Sequence, residues 1–231
     1  MLYNMFESWF TLRILHISDT HGKFPKLEGK FDCILHTGDF FPNSIGVYSG
    51  NKTQEMLFQE EWLEKQATNV KNWLRGYPFL FVEGNHDFLH PQRVEQLLNL
   101  YGIKTFSLHE KVVSFEGVNF YGFPYVPYIN GMWNYECDHE EMRDNLEKLV
   151  DACNTTYVDV VAAHAPINGH LDWYQGPLGS SDIAYAFDHQ ISKDMTPGFY
   201  LHGHIHESNG VTVRNGMLIS NAATTQNIIE I

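Results

Sequence analysis

The chain's 231 residues are 43% hydrophobic and 14% aromatic, enough for a substantial core and too apolar for a disordered chain. Fifteen basic against 28 acidic residues leave a net charge of −13, which excludes a long nucleic-acid track, since such a track clusters lysine and arginine against phosphates. Three scattered cysteines, Cys33, Cys137 and Cys153, exclude a disulfide framework, and no apolar run reaches the ~18 residues of a membrane span, so the chain reads as cytoplasmic with no membrane partner.

Met1 to Phe10 carries Glu7 and no basic residue, so it lacks the positive start of a secretory leader and reads as the lead-in to a strand. Thr11 to Ser18 and Phe31 to Thr37 are apolar, β-branched-rich runs that predict buried strands. Thr53 to Leu74 carries Met56, Leu57, Trp62, Leu63, Val70, Trp73 and Leu74 at helical spacing, and Gly76 and Pro78 then stop the helix. Pro78 to Val82 predicts the next strand, Pro91 to Leu100 a helix, and Lys111 to Tyr121 a hairpin around Glu116-Gly117. A helix over His139 to Cys153, a strand over Tyr157 to Ala163, a helix over Asp182 to Ser192 and a strand over Gly198 to His202 follow. Short strands at Gly210 to Val213, Met217 to Ser220 and Gln226 to Glu230 complete the series. With no repeat or linker, the pattern predicts a single domain, 1–231, of α/β class: two mixed β-sheets packed face to face with flanking helices.

Five polar pieces stand just beyond strand-like runs: Asp19-Thr20-His21, Gly38-Asp39, Gly84-Asn85-His86-Asp87, Ala163-His164 and Gly203-His204-Ile205-His206. Each piece alone is an ordinary turn or polar pair; five in this order predict one metal site at the carboxyl ends of strands. Alternation puts residues i and i+2 on one side, so Asp19 and His21 can reach a single ion, and His204 and His206 repeat that spacing. Asp39 follows a glycine that permits a tight turn, which lets one carboxylate approach two cations. Asn85 and His164 complete a set of nitrogen and oxygen donors without thiolate, suited to two divalent metal ions, with manganese first among Mn, Fe, Ni, Co and Zn. Two such ions would bring the charge to about −9 and concentrate positive charge in one cleft, so a small anionic substrate is the natural partner.

The pattern D-x-H, GD, GNH(D/E), H, GHxH is similar to that of the calcineurin-like metallophosphoesterase superfamily and covers almost the whole chain. The resemblance implies a two-sheet sandwich flanked by helices, with Asp19, His21 and His206 on the first metal. It implies Asn85, His164 and His204 on the second, with Asp39 bridging. It also implies that His86 is the acid that protonates the leaving oxygen, oriented by Asp87. The reaction so implied is in-line attack on phosphorus by a hydroxide held between the ions. Gly117 to Tyr128, His164-Ala165-Pro166, Leu171-Asp172, Gly203 to Glu207 and Asn221-Ala222-Ala223 resemble the small metallophosphoesterase-domain proteins related to class III cyclic nucleotide phosphodiesterases. One departure is Ala-His-Ala at 163–165, where that group carries Thr-His-Gly or Gly-His.

The Ser/Thr phosphatases of the superfamily clamp a phosphomonoester dianion with arginines beside GD and before GNH. Here Phe40-Phe41-Pro42 and Glu83 occupy those places, which favours a small phosphodiester, such as a nucleotide, over a phosphoprotein. A broad phosphomonoesterase or nucleotide pyrophosphatase is the alternative, with a DNA nuclease or a catalytically silent metal-binding scaffold behind it. The sequence leaves the oligomeric state open.

His16, His36 and His202 fall inside strand patterns and read as core or ligand-orienting residues. His90, His109, His139, His170 and His189 read as surface or loop residues. Phe123, Tyr125, Tyr128, Trp133 and Tyr135 admit two readings, a base-stacking loop or rings that cover the core. Asn221-Ala222-Ala223 is expected to pack beneath the site, and the helix face with Glu60, Glu61, Glu64 and Lys65 to be solvated.

Overall fold

Strands β1 (Arg13–Ile17) and β2 (Cys33–Thr37) arise from the first two apolar runs, and every β2 side chain is buried. A strand covered on both faces has no polar side to alternate with, which is why these segments read as continuous apolar runs. The computed structural model describes residues 11–231, and the expected lead-in at 1–10 lies outside the described residues. Helix α1 (Lys52–Leu74), strand β3 (Phe79–Val82) and helix α2 (Pro91–Leu100) follow, the last with Pro91 in its first turn.

Strand β4 (Thr105–Ser107), too short for a periodic signal, was not expected. The hairpin β5 (Val112–Phe115) and β6 (Val118–Phe123) turns at Glu116 and Gly117, both with positive φ, as the tight turn requires. A small ribbon joins β7 (Val126–Pro127) to β8 (Glu136–Cys137), and helix α3 (His139–Thr155) starts at a capping box made by Asp138 and Glu141. After β9 (Val160–Ala163), helix α4 covers only Ser181–Tyr185 and passes into a wider turn at Ala186–Gln190, so the expected 182–192 helix is shorter and irregular. Strands β10 (Phe199–His202), β11 (Gly210–Arg214), β12 (Met217–Asn221) and β13 (Gln226–Glu230) complete the described chain.

Two mixed sheets result, in the orders β13-β1-β2-β3-β4 and β11-β12-β10-β9-β6-β5. Alternate residues divide the core. Ile14, Leu35 and Leu80 meet Phe120, Val160 and Leu201 between the sheets. Leu15, Ile34 and Phe79 face outward to Leu63, Val70 and Leu97 of α1 and α2. Tyr121, Val161 and Tyr200 face the other way, to Met142, Leu146 and Ile183 of α3 and α4. The layers are therefore helix, sheet, sheet, helix, as the sequence pattern predicts.

Helix α1 keeps most of its expected face: Leu63, Val70, Trp73 and Leu74 are buried, and Met56 and Trp62 pack against the core. The buried stripe also takes in Glu55, Gln59 and Ala67, whereas Leu57 is 55% exposed. Strands β1, β2 and β3 run parallel in one sheet, and β9 and β10 run parallel in the other. All five motif pieces follow the carboxyl ends of these strands.

Candidate metal centre

The loops that carry the motif residues are bent sharply. Asp19, His21, Asp39 and His204 all have positive φ, from 43° to 72°. Such backbone costs about 1 kcal/mol or more per non-glycine residue and persists only where its surroundings hold it. Here the first two loops hold each other: Asp19 N–H donates to Gly38 O at 2.9 Å, His21 N–H to Asp39 O at 2.9 Å and Gly22 N–H to Phe40 O at 2.8 Å. Two glycines leave the room this needs. A Cβ on Gly84 would strike Asp39 Oδ1 and His164, and one on Gly203 would strike Ser18 Oγ and Asp19 Oδ2.

The structure brings all seven expected donors to one place. Asp39 Oδ2 lies 3.4 Å from His164 Nε2, 3.8 Å from His21 Nε2 and 4.0 Å from His86 Nε2. His206 Nε2 lies 3.2 Å from Asp19 Oδ1, and Asn85 Oδ1 lies 3.1 Å from His164 Nε2. His204 meets His164 edge-on, with ring centroids 5.0 Å apart. Three groups have ligand atoms within 4.8 Å of one another: Asp19 with His21 and His206, Asp39 with His21 and His86, and Asp39 with Asp19 and His164. His204 stands beside these groups, and the Asn85 amide oxygen meets one of their members, His164, directly.

The charges fit a cation site. Among the described residues no lysine or arginine pairs with Asp19, Asp39 or Asp87; the ionisable partners of the first two are imidazoles. Burial would raise the Asp39 carboxyl, but His164, His86 and His21 hold it well below the ordinary range. Burial likewise opposes charge on His164, yet Asp39 and Asp19 push its imidazole up to about 10. Burial and the neighbouring Asp39 push Asp87 up to about 8. A buried carboxylate pair with no fixed cation is costly unless positive charge arrives, and divalent ions supply it. His164 is prepared for this: its Nδ1–H donates to Thr37 O at 2.7 Å, which aims Nε2 at Asp39 and Asn85.

These values imply a pH dependence for the metal-free protein. His164 holds its proton up to about 10, above the ordinary 6.5, so its stabilisation is complete below 6.5 and is lost as pH rises to about 10. Asp87, raised to about 8, loses stability in the same direction between about pH 4 and 8. Chelator-treated protein should therefore melt at falling temperature from pH 6.5 to 10, and a divalent cation added at pH 8 should restore Tm and release protons. A flat Tm profile or proton-neutral binding would sink the assignment.

The orienting role expected of Asp87 is corrected. Its carboxylate accepts from Asp39 N–H at 2.8 Å, Gly84 N–H at 2.8 Å and Phe41 N–H at 3.0 Å, and so staples the GD loop to the GNHD loop. His86 is oriented by other residues. The Asn43 amide meets its Nδ1 at 2.8 Å through nitrogen or 3.0 Å through oxygen, and Trp133 lies under its ring at 4.0 Å between centroids.

Further supports carry no local motif. Gln59, fully buried on α1, accepts from Phe88 N–H at 2.7 Å and Leu89 N–H at 3.0 Å and donates to His86 O at 2.7 Å. Glu55, one turn earlier, accepts from the Ser44 N–H and hydroxyl. The signal for both was polar residues at four-residue spacing in line with Leu63. Gln59→Ala should cost about 3 kcal/mol in urea unfolding, because it leaves three buried backbone groups unpaired at ~1–3 kcal/mol each. A cost under about 1 kcal/mol would reject this role.

Asn221 packs beneath the site as expected, donating to Ile205 O at 2.8 Å and to Leu171 O at 3.2 Å. His16 bridges Ser220 and Thr37, His36 meets Thr20, and His202 is buried. His109 lies half-buried in the loop between β4 and β5, where it pairs with the buried Glu83 at 2.8 Å. Glu60, expected to be solvated, pairs with Arg93 of α2 at 2.6 Å, while Glu61 and Lys65 pair with each other along the helix. The aromatic cluster divides. Phe123 is core, Tyr125 and Tyr135 pack on each other, Trp133 lies under His86, and only Tyr128 is largely exposed.

Above the donors lies an open cleft of about 740 Å³, bordered by His21, His86, His206, Ile129 and Tyr174, with no lysine or arginine among the described residues that line it. No helix among the described residues is long and apolar enough to cross a membrane.

Fold and donor set together define a helix-flanked two-sheet sandwich with a carboxylate–imidazole metal cradle at its strand ends. The chain belongs to the calcineurin-like phosphoesterase family, whose profile matches residues 12–208. It is 26% identical over 230 residues to a UPF0046 protein of Caenorhabditis elegans, covering 92% of this chain and 69% of that protein. It is 21% identical over 226 residues to human metallophosphoesterase domain-containing protein 1, covering 86% of this chain and 62% of that one. Among solved structures, a Thermus thermophilus protein shares the fold at TM-score 0.60 and 13% identity, over 93% of this chain and 90% of its own. A putative 5′-nucleotidase from Staphylococcus aureus does so at TM-score 0.53 and 12% identity, over 96% of this chain and 51% of its own.

Proposed function

We propose that the protein is a dinuclear-metal phosphoesterase that hydrolyses a small phosphodiester, such as a nucleotide. The observation that carries this reading is the cluster of Asp19, His21, Asp39, Asn85, His164, His204 and His206 at one rim, facing a cleft without a basic side chain. In this reading Asp19, His21 and His206 hold one divalent ion and Asn85, His164 and His204 the other. Asp39 would serve both, since its Oδ2 lies near His21 on one side and His164 on the other. Manganese remains the first candidate, with Fe, Ni, Co and Zn compatible with the same donors. When bound, two such ions polarise the phosphoryl oxygens and supply an activated water for in-line attack.

The chain's own residues do the rest. Asp87, by fixing the Asp39 and Gly84 backbones, sets the distance between the two halves of the cradle. His86 presents Nε2 to the cluster, where it gives a proton to the leaving oxygen, while Asn43 and Trp133 hold its ring. With no guanidinium or ammonium in the cleft, the second charge of a phosphomonoester finds no partner beyond the ions, which favours the diester monoanion.

The test is metal-dependent hydrolysis of bis(p-nitrophenyl) phosphate beside p-nitrophenyl phosphate. The expected result is a higher kcat/KM for the diester. Preference for the monoester would reject the diester reading, and no hydrolysis of either with metal bound would reject the catalytic one.

A further inference from the structure

Three large apolar side chains stand exposed on the cleft wall: Ile129 at 47%, Tyr174 at 47% and Leu178 at 45%. They come from two loops, residues 124–135 and 171–178, and exposed apolar area of this kind is unfavourable in water. Yet both loops are tightly held in the conformation that exposes them. The Glu136 carboxylate accepts from the N–H groups of Ile129, Asn130, Gly131 and Trp133, at 3.1, 3.0, 2.6 and 3.0 Å. In the second loop the buried Asp172 accepts from Gly169 N–H at 2.9 Å and Gly179 N–H at 3.1 Å, and Leu178 N–H donates to Asp172 O at 2.9 Å.

That second loop is also tied to the donor loop. Ser208, two residues after His206, accepts from Trp173 N–H at 2.9 Å and donates to Trp173 O at 2.9 Å. Tyr174 therefore sits at a fixed offset from the metal cradle. The first loop is tied in the same way: Asn134 N–H donates to Asn85 O at 3.0 Å, and Lys52 Nζ donates to Trp133 O at 2.6 Å.

We propose that these two loops form a preformed apolar clamp for a flat, uncharged aromatic ring carried by the phosphodiester. The inference rests on the diesterase reading and adds the class of ester group. A ring can stack on Tyr174 between the aliphatic walls of Ile129 and Leu178 while the phosphate lies over the donors. A further anionic group is disfavoured on this wall, because among the described residues its lining offers no lysine or arginine to receive one and carries the acidic Glu207. Because the loops are already ordered, little conformational entropy is lost on binding. A nucleobase and a simple aryl group share this chemistry.

Equilibrium binding to the metal-loaded protein tests the clamp, with dimethyl phosphate, methyl phenyl phosphate and thymidine 5′-methyl phosphate as probes. Ringed probes should bind about tenfold tighter than dimethyl phosphate, the scale of one base–aromatic stack. A double variant, Tyr174→Ala with Leu178→Ala, should bring that ratio close to one, while Tyr185→Ala, exposed but outside the cleft lining, should leave it intact. Tighter binding of the thymidine ester alone would assign the clamp to nucleosides, and equal gains for both rings would assign it to aryl groups generally. A ratio near one in the unaltered protein, or a ratio that survives the double variant, would overturn the proposal. Ring-selective binding without hydrolysis of any diester would leave the clamp standing and reject the diesterase reading instead.

Discussion

Asp39→Asn is expected to reduce bound divalent metal from two ions per chain to one or none and to lower kcat by at least about 10²-fold. Asp39 Oδ2 is the one carboxylate oxygen that approaches His21, His86 and His164 together, and Oδ1 is already committed to the His86 N–H at 2.8 Å. The amide keeps the shape but offers a neutral donor, and it puts an NH₂ group on one of those two oxygen positions. Either placement fails. The NH₂ faces the cation site or the His86 N–H, and three imidazoles lose the carboxylate that draws positive charge into the rim. Metal content by elemental analysis and turnover of bis(p-nitrophenyl) phosphate check the prediction together. Two ions retained with normal turnover would reject the bridging role proposed for Asp39.

His86→Ala is expected to leave metal content unchanged and to slow turnover by about 10²–10⁴-fold on a diester with an alkyl leaving group. The loss should be much smaller with p-nitrophenolate, which departs without a proton. Burial pulls the His86 imidazole below its ordinary value, an effect that Asp39 partly offsets, so its protonated form is a stronger acid than a free imidazolium. Asn43 suits either state of the ring, because an amide can donate to a bare Nδ1 or accept from a protonated one. Equal losses with both leaving groups would exclude proton donation. Loss of an ion would instead mark His86 as a ligand, since it also lies in a potential metal group with His21 and Asp39.

The two substitutions separate what the cradle holds from what it does, and the sequence bears on the two unequally. Aspartate and histidine donors must be delivered by short segments at strand ends, so each left a local mark: D-x-H after β1, GD after β2, GNH after β3, H after β9 and GHxH after β10. Buried parallel strands left continuous apolar runs for the same kind of reason. The supports left almost none. Asp87 sits beside His86 in the chain yet serves the Asp39 loop, 48 residues earlier. Gln59 holds the His86 loop from 27 residues away, and its only trace is a polar residue on a helix's inward stripe.

By itself, then, the sequence determined the two-sheet α/β class and marked the candidate donor residues, because those depend on residue type and local spacing. The tertiary structure alone decided how these parts meet. It set β13 against β1 across more than two hundred residues, turned Asp87 from His86 toward backbone amides, and brought Ile129, Tyr174 and Leu178 to one wall. These are consequences of hydrogen bonds and packing between segments far apart in the chain, and no local spacing records which distant N–H group or side chain will be the partner.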